Sequence, residues 1–427
     1  MRLSHFLTLL FPLFLFVACD KNGSEEQIDQ KKEEENVSLH LTAANLTLEG
    51  AGISKLGEGE EQVLQLDSVE VSIDHQLDVP QAGRYRMTLQ YKLAGTEKGS
   101  FWVEDYTDNK DGRVYNISGY PALVDGGAEE WSKVVVDGSP MNKGPHAIRL
   151  HLKGKELVVK DLEFSLMKSE KKTPESLTQK MDGDNWELVW SDEFEGEGAP
   201  DMKKWTYDVG NWGWGNAEPQ YYTDNRRENA RLENGYLVMV ARKNDMGQPW
   251  TSARLTTREK VSFLYGKIEF RAKVPTGDGS WAAGWLLGDD YVDELSWPYC
   301  GEIDVLECIG SEIDDETGDG INHASCHTRA YYFKNGNHIT NTIPVKDMDD
   351  EFHNYTFEWY PDVIKGYLDG EHYYTYDKTA NELEWPFNKP QTIIINLAMG
   401  GGMGGEIDPD LTTQTVIWDY VRVYQKN

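Results

Sequence analysis

The sequence predicts an all-β protein built as two sandwiches, a smaller one followed by a larger one of jelly-roll type. Three observations carry this. Short runs that alternate apolar and polar residues recur along the 427-residue chain, separated by Gly, Asp and Asn. Long helix-period patterns are scarce, while aromatic residues make up 11 % of the chain and glycines number 40, a supply that suits strands and turns. A polar stretch at 168–184 divides the runs into two blocks, each long enough for its own core.

The first 18 residues read as a secretory signal, with Arg2 ahead of an apolar run from Leu9 to Val17 that is short for a membrane-spanning helix. Phe16-Val17-Ala18-Cys19 resembles a bacterial lipobox, which implies cleavage before Cys19 and acylation of that cysteine. Residues 20–36 are charged and nearly free of apolar side chains, as a flexible tether would be. Together, 1–18 and 19–36 describe a lipoprotein held at the outer membrane or cell surface, with a periplasm-facing position as the alternative. Its contact with the membrane is through the lipid only.

Residues 37–167 form the smaller sandwich. Val69-Glu70-Val71-Ser72-Ile73, Tyr85-Arg86-Met87-Thr88-Leu89 and Ala147-Ile148-Arg149-Leu150-His151-Leu152 each alternate, as half-buried antiparallel strands do. The order of "VPQAGRYRMTLQYKLAG", "EEWSKVVVD", "NKGPHAIRLHLKG" and "VVKDLEFSL" resembles carbohydrate-binding modules of the β-sandwich type. Trp102, Tyr106, Tyr115, Tyr120 and Trp131 are aromatics that could stack on sugar, and a structural spacer is the alternative for this module. Residues 168–184 are expected to be a linker.

The larger module, 185–427, opens with Trp186-Glu187-Leu188-Val189-Trp190 and closes with Tyr420-Val421-Arg422-Val423-Tyr424. Both alternate, and pairing first with last would close a jelly roll. Within it, Gly301-Glu302-Ile303-Asp304-Val305-Leu306-Glu307 sets three carboxylates on one predicted strand. Glu302 and Asp304 share a face. Glu307 points the other way unless a β-bulge intervenes. Three like charges on one sheet surface are costly, and paired carboxylates with separated pKa values are what glycoside hydrolysis uses. The formal net charge of -31 weighs against nucleic acid, anionic membranes and sulfated glycans as partners and favours a neutral polymer.

"WSDEF", "YGKIEFRAKVPTGDGSWAAGWLLG", "WPYCGEIDVLECIG", "FHNYTFEWYPDVIKGYLDG" and "DYVRVY" together resemble glycoside hydrolase family 16, in the expected order across the whole larger module. The Glu-x-Asp-x-x-Glu spacing is similar to its laminarinase branch. The resemblance implies a bent jelly-roll catalytic domain with an open cleft and a retaining mechanism, acting as an endo-β-1,3-glucanase on a β-glucan polysaccharide. A mixed-linkage β-glucanase is the alternative, and a non-catalytic glycan-binding lipoprotein is the alternative of a different class. Glu302 is then the nucleophile, Glu307 the acid/base, and Asp304 the residue that holds the nucleophile's hydrogen bonds. Retention places the two working carboxyls roughly 5–5.5 Å apart, so five strand steps of about 16 Å must be shortened.

For substrate binding the resemblance implies Asn216, Arg254, Trp281, Trp297 and His327. Met403, in "NLAMGGGMGG", stands where laminarinases usually carry a tryptophan. Trp281 and Trp285 sit on one predicted strand face, which would put at least one of them in the core. His323 and His327 are too far apart on a strand to share a zinc ion. No cofactor is implied for catalysis. A structural Ca²⁺ is implied at Glu193, the Gly235 carbonyl and Asp419, with a plain salt bridge as the alternative. Cys300, Cys308 and Cys326 are expected as free, buried thiols, and the protein as a monomer.

Overall fold

The computed structural model of the protein describes residues 37–48, 52–93, 98–107, 114–124 and 130–426. The signal segment, Cys19 and the tether lie outside the described residues. Among those described, the chain forms two pairs of sheets and almost no helix.

The smaller module packs a six-stranded sheet on a five-stranded one. Strand Gly83–Lys92 shows why the sequence folds this way. Tyr85, Met87, Leu89 and Tyr91 alternate inward and are fully buried against Phe101, Val103, Leu150 and Leu152. The larger module pairs a nine-stranded with a ten-stranded sheet. Strand Gln391–Met399 lies inside the nine-stranded sheet and is buried along its whole length, matching its run of Ile, Leu and Ala. The opening strand Trp186–Asp192 pairs antiparallel with the closing strand Thr413–Lys426, from Trp186 opposite Lys426 to Asp192 opposite Val421. That is the jelly-roll closure the sequence predicts.

Residues 168–184 correct the linker reading. Strand Val158–Ser169 of the small sandwich runs into them, and Glu175–Thr178 adds a parallel edge strand beside Val261–Leu264 of the large module. Edge pairing uses backbone groups alone, so a polar stretch can form it without an apolar signature. The two modules also bond directly. Arg84 donates to the Asp208 carboxylate and to the Val209 carbonyl. Asp137 and Asn211 exchange two hydrogen bonds at 3.1 and 3.2 Å, and the Tyr221 hydroxyl donates to Asp137 at 2.7 Å. Arg258 of the large module pairs with Glu170 at 2.5 Å.

Candidate active site

Strand Glu302–Ile309 pairs with Ser280–Gly288, and the register slips by one residue. Gly284 faces Leu306, while Trp285 faces Asp304, leaving Val305 without an opposite number. This is the β-bulge that the spacing demanded. Val305 and Leu306 both enter the core, so Glu307 returns to the face shared by Glu302 and Asp304. All three line one cleft of about 810 Å³.

The partners of the carboxylates differ. Trp297 donates its indole N–H to Glu302 Oε2 at 2.9 Å. His327 Nε2 stands 3.3 Å from Asp304 Oδ2 and 3.8 Å from Glu302 Oε1. The Trp281 indole N–H reaches Glu307 Oε1 at 3.3 Å. Burial first, and then repulsion from Asp304, pushes Glu302 up to about 8 and Glu307 up to about 7. Burial raises Asp304 to about 8. Taken singly, these put Glu307 below Glu302, opposite to the roles of acid and nucleophile. The hydrogen bonds argue for the reverse order. Glu302 holds the shorter N–H bond and the histidine contact, which favour its ionised form, and Glu307 has only the longer Trp281 bond. The protons belong to the trio as a coupled set.

The structure brings together most of the expected binding residues. Asn216, Arg254, Trp281 and Trp297 all line the cleft. Arg254 lies between the rings of Trp214 and Trp285, 4.7 and 4.8 Å from their centroids, and donates to Asp208 at 3.1 Å. Trp281 and Trp285 are a correction: both face the cleft, because the alternate residues Ala282, Gly284 and Leu286 take the core face of that strand. Met403 is a second correction. It is half-buried on the short turn Gly401–Gly404 and is not among the cleft-lining residues. The turn reaches the site through its backbone, where Gly402 N–H donates to the Asn216 carbonyl at 2.9 Å.

His323 pairs with Glu312 at 2.5 Å and does not line the cleft. Cys300, Cys308 and Cys326 are free and buried. The implied calcium ligands do not form a donor set. Glu193 is held by Arg422 through two bonds of 3.0 and 2.7 Å, and Asp419 by Arg271 at 2.5 Å. Guanidinium groups already neutralise both carboxylates, so these residues as they stand do not fit a calcium ion. Among the described residues the one cluster with metal-ligand geometry is Glu302, Asp304 and His327, which is the catalytic constellation itself.

Sequence reasoning missed Glu218, Tyr291, Glu294, Phe333 and Lys334, all of which line the cleft, as does Asn396 at the head of "NLAMGGGMGG". Asn396 carried a signal in its strand: it lies opposite Ala283 and Arg254 and accepts the Trp285 indole N–H at 2.8 Å. Glu294 sits on a loop and Lys334 on the single 3-10 turn Phe333–Asn335, and nothing in local spacing marks them.

Comparison with known proteins agrees with this geometry. Residues 217–422 match the sequence profile of glycosyl hydrolases family 16. The chain is 43 % identical over 251 residues to a beta-glucanase of Rhodothermus marinus, covering 56 % of this chain and 86 % of that protein. It is 35 % identical over 271 residues to glucan endo-1,3-beta-glucosidase A1 of Niallia circulans, of which it spans 38 %. The solved laminarinase of Rhodothermus marinus superposes with a TM-score of 0.52 at 42 % identity, covering 56 % of this chain and 98 % of that one. A bulged strand presenting three carboxylates to a tryptophan-lined cleft, together with these likenesses, places the chain in glycosyl hydrolase family 16.

Proposed function

We propose that the chain hydrolyses the internal β-1,3 bonds of a neutral β-glucan with retention of configuration. The observation that carries this is the bulge at Val305, which turns Glu307 onto the face of Glu302 and Asp304. Two cleft carboxyls on one strand face are the pair that double displacement requires. Names of relatives at 35–43 % identity supply the linkage.

The geometry assigns the steps. The indoles of Trp281 and Trp285 offer flat apolar faces for the C–H surface of a pyranose. Glu302, oriented by the Trp297 N–H, attacks the anomeric carbon as Glu307 transfers its proton to the leaving glycosidic oxygen. The C–O bond breaks and a glycosyl ester forms on Glu302. Ionised Glu307 then takes a proton from water, whose oxygen displaces Glu302 and releases the sugar with its original anomer. Asp304 lies between them in sequence and beside His327 in space. Its charge raises the proton affinity of both neighbours, Glu307 included, which must be protonated at the start.

Laminarin, mixed-linkage glucan, agar and carrageenan offered side by side test the reading. Oligosaccharides from laminarin are expected. Products from agar alone would overturn the glucan assignment, and comparable rates on mixed-linkage glucan would widen it. Glu302→Ala rescued by azide should yield a glycosyl azide of inverted configuration, which identifies the nucleophile.

The lipobox-like Phe16-Val17-Ala18-Cys19 supports a surface lipoprotein that meets polymer outside the cell. Metabolic labelling with palmitate, lost in Cys19→Ala, checks it. Because one chain supplies all three carboxylates, it is expected to act as a monomer, which light scattering measures.

A further inference from the structure

Among the described aromatics of the sandwich module that could meet a glycan, Tyr120 is exposed and the others are covered in part. Trp102 is stacked against His151 at 4.4 Å and tilted onto Tyr120, Arg149 covers Tyr106, and Trp131 lies under Lys92 and Lys160. Its closest engagement with the chemistry is through the loop between Gly288 and Glu302. Three consecutive residues of that loop divide between the modules. Asp293 is 5 % exposed; the Asn142 backbone of the sandwich hydrogen-bonds its carboxylate, with His146 nearby. Leu295 packs on the sandwich core. Glu294, between them, turns the other way and lines the catalytic cleft. The Tyr291 hydroxyl donates to its Oε1 at 3.0 Å. Its Oε2 faces Gly215, where an added Cβ would lie 3.2 Å away. Gly215 has φ +76, so glycine serves both the backbone and the close approach.

Glu294 has no part in the bond-breaking steps above, yet it is a half-buried carboxylate facing the cleft. Burial raises its proton affinity, and the Tyr291 hydroxyl with the charges of Lys334 and Arg254 offsets this in part. Gly215 and Asn216 stand opposite and offer backbone and amide groups to sugar hydroxyls, beside Trp214, whose ring is packed on Trp212 and Arg254.

We propose that Glu294 is a specificity-determining residue that accepts hydrogen bonds from hydroxyls of a glucosyl unit seated beside Gly215 and Asn216, and that the sandwich module positions it through Asp293 and Leu295. The small sandwich lends no side chain of its own to the cleft lining and acts from behind it, through this loop. This rests on the glucanase reading, and the test separates the two.

Steady-state kinetics on laminarin-derived oligosaccharides are measured for the full chain and for Glu294→Gln, Glu294→Ala, Leu295→Ala and Asp293→Asn. Binding of the same oligosaccharides is measured by calorimetry in a Glu302→Gln background. Loss of a charge-assisted hydrogen bond made in ground and transition state alike raises KM about 10- to 100-fold with kcat nearly unchanged. Glu294→Ala is expected to show this, with Glu294→Gln in between. Leu295→Ala and Asp293→Asn should raise KM in the same direction, and combining Leu295→Ala with Glu294→Ala should add little to Glu294→Ala alone. Should Leu295→Ala fail to fold, Asp293→Asn carries the positioning test. KM and affinity within twofold of the parent in Glu294→Ala would overturn the assignment. Fully additive effects would overturn the positioning role. A wild-type chain that binds these oligosaccharides without cleaving them would sink the glucanase reading while leaving the binding comparison decisive.

Discussion

Replacing Glu307 by Gln should make the protein more stable at neutral and alkaline pH while removing its activity. Glu307 is 8 % exposed and lies in a cleft with two other carboxylates. Burial and Asp304 raise its pKa from 4.5 in the unfolded chain to about 7 in the folded protein. Below about pH 4 both states are protonated, and the residue contributes nothing that depends on pH. Between pH 4.5 and 7 the unfolded chain releases a proton that the native state keeps, so native stability falls as pH rises. Above pH 7 both are ionised and the whole penalty is present. At about 1.4 kcal/mol per pKa unit the rise corresponds to roughly 3 kcal/mol. Glutamine is isosteric and never ionises, so it escapes that penalty. Urea unfolding followed by tryptophan fluorescence at pH 4, 6 and 8.5 measures it. The expected gain over wild type is near zero at pH 4 and about 2–3 kcal/mol at pH 8.5, or about 3–6 °C in Tm. A gain that is constant with pH, or largest at pH 4, would refute the claim that an electrostatic penalty is stored in this carboxyl.

Other outcomes follow from the same contacts. Trp297→Phe removes the 2.9 Å N–H bond to Glu302 while keeping an aromatic ring, and kcat should fall about 10- to 100-fold, seen in initial rates on laminarin. The alkaline limb of kcat/KM against pH should fall near 7 as Glu307 loses its proton, and it should move downward in Asp304→Asn, where the neighbouring charge that raises it is gone. Arg84→Met of the sandwich removes one of two guanidinium partners of Asp208, the other being Arg254 in the cleft. KM should rise severalfold with the fold intact by circular dichroism, and Arg84→Lys should recover part of it. Chelation by EDTA should leave Tm unchanged, since Glu193 and Asp419 are each neutralised by an arginine.

Where the signal was periodic or contiguous, the sequence was readable. Alternation along Gly83–Lys92 and pairing of the terminal strands both follow from residue order, because a strand's two faces are fixed by a period of two. The parity conflict at Glu307 even located a bulge before any coordinates, since only an extra residue resolves it. Elsewhere the determinants were not local. Trp281 and Trp285 have the spacing of core residues, and only the curvature of the sheet and its neighbours decide that this face is the cleft. The stretch 168–184 looks like a spacer because edge pairing leaves no mark on side chains.

By itself, then, the order of residues determined the all-β class, the closure of the large module, the three carboxylates and their bulge. Each of these depends on neighbours along the chain. The tertiary structure decided which distant groups meet them: Trp297 on Glu302, His327 between Glu302 and Asp304, Arg84 behind Arg254 through Asp208, and Glu294 turned into the cleft. Those contacts join residues tens to hundreds of positions apart or hang on loops without periodicity. They exist only once two sheets and two modules have packed.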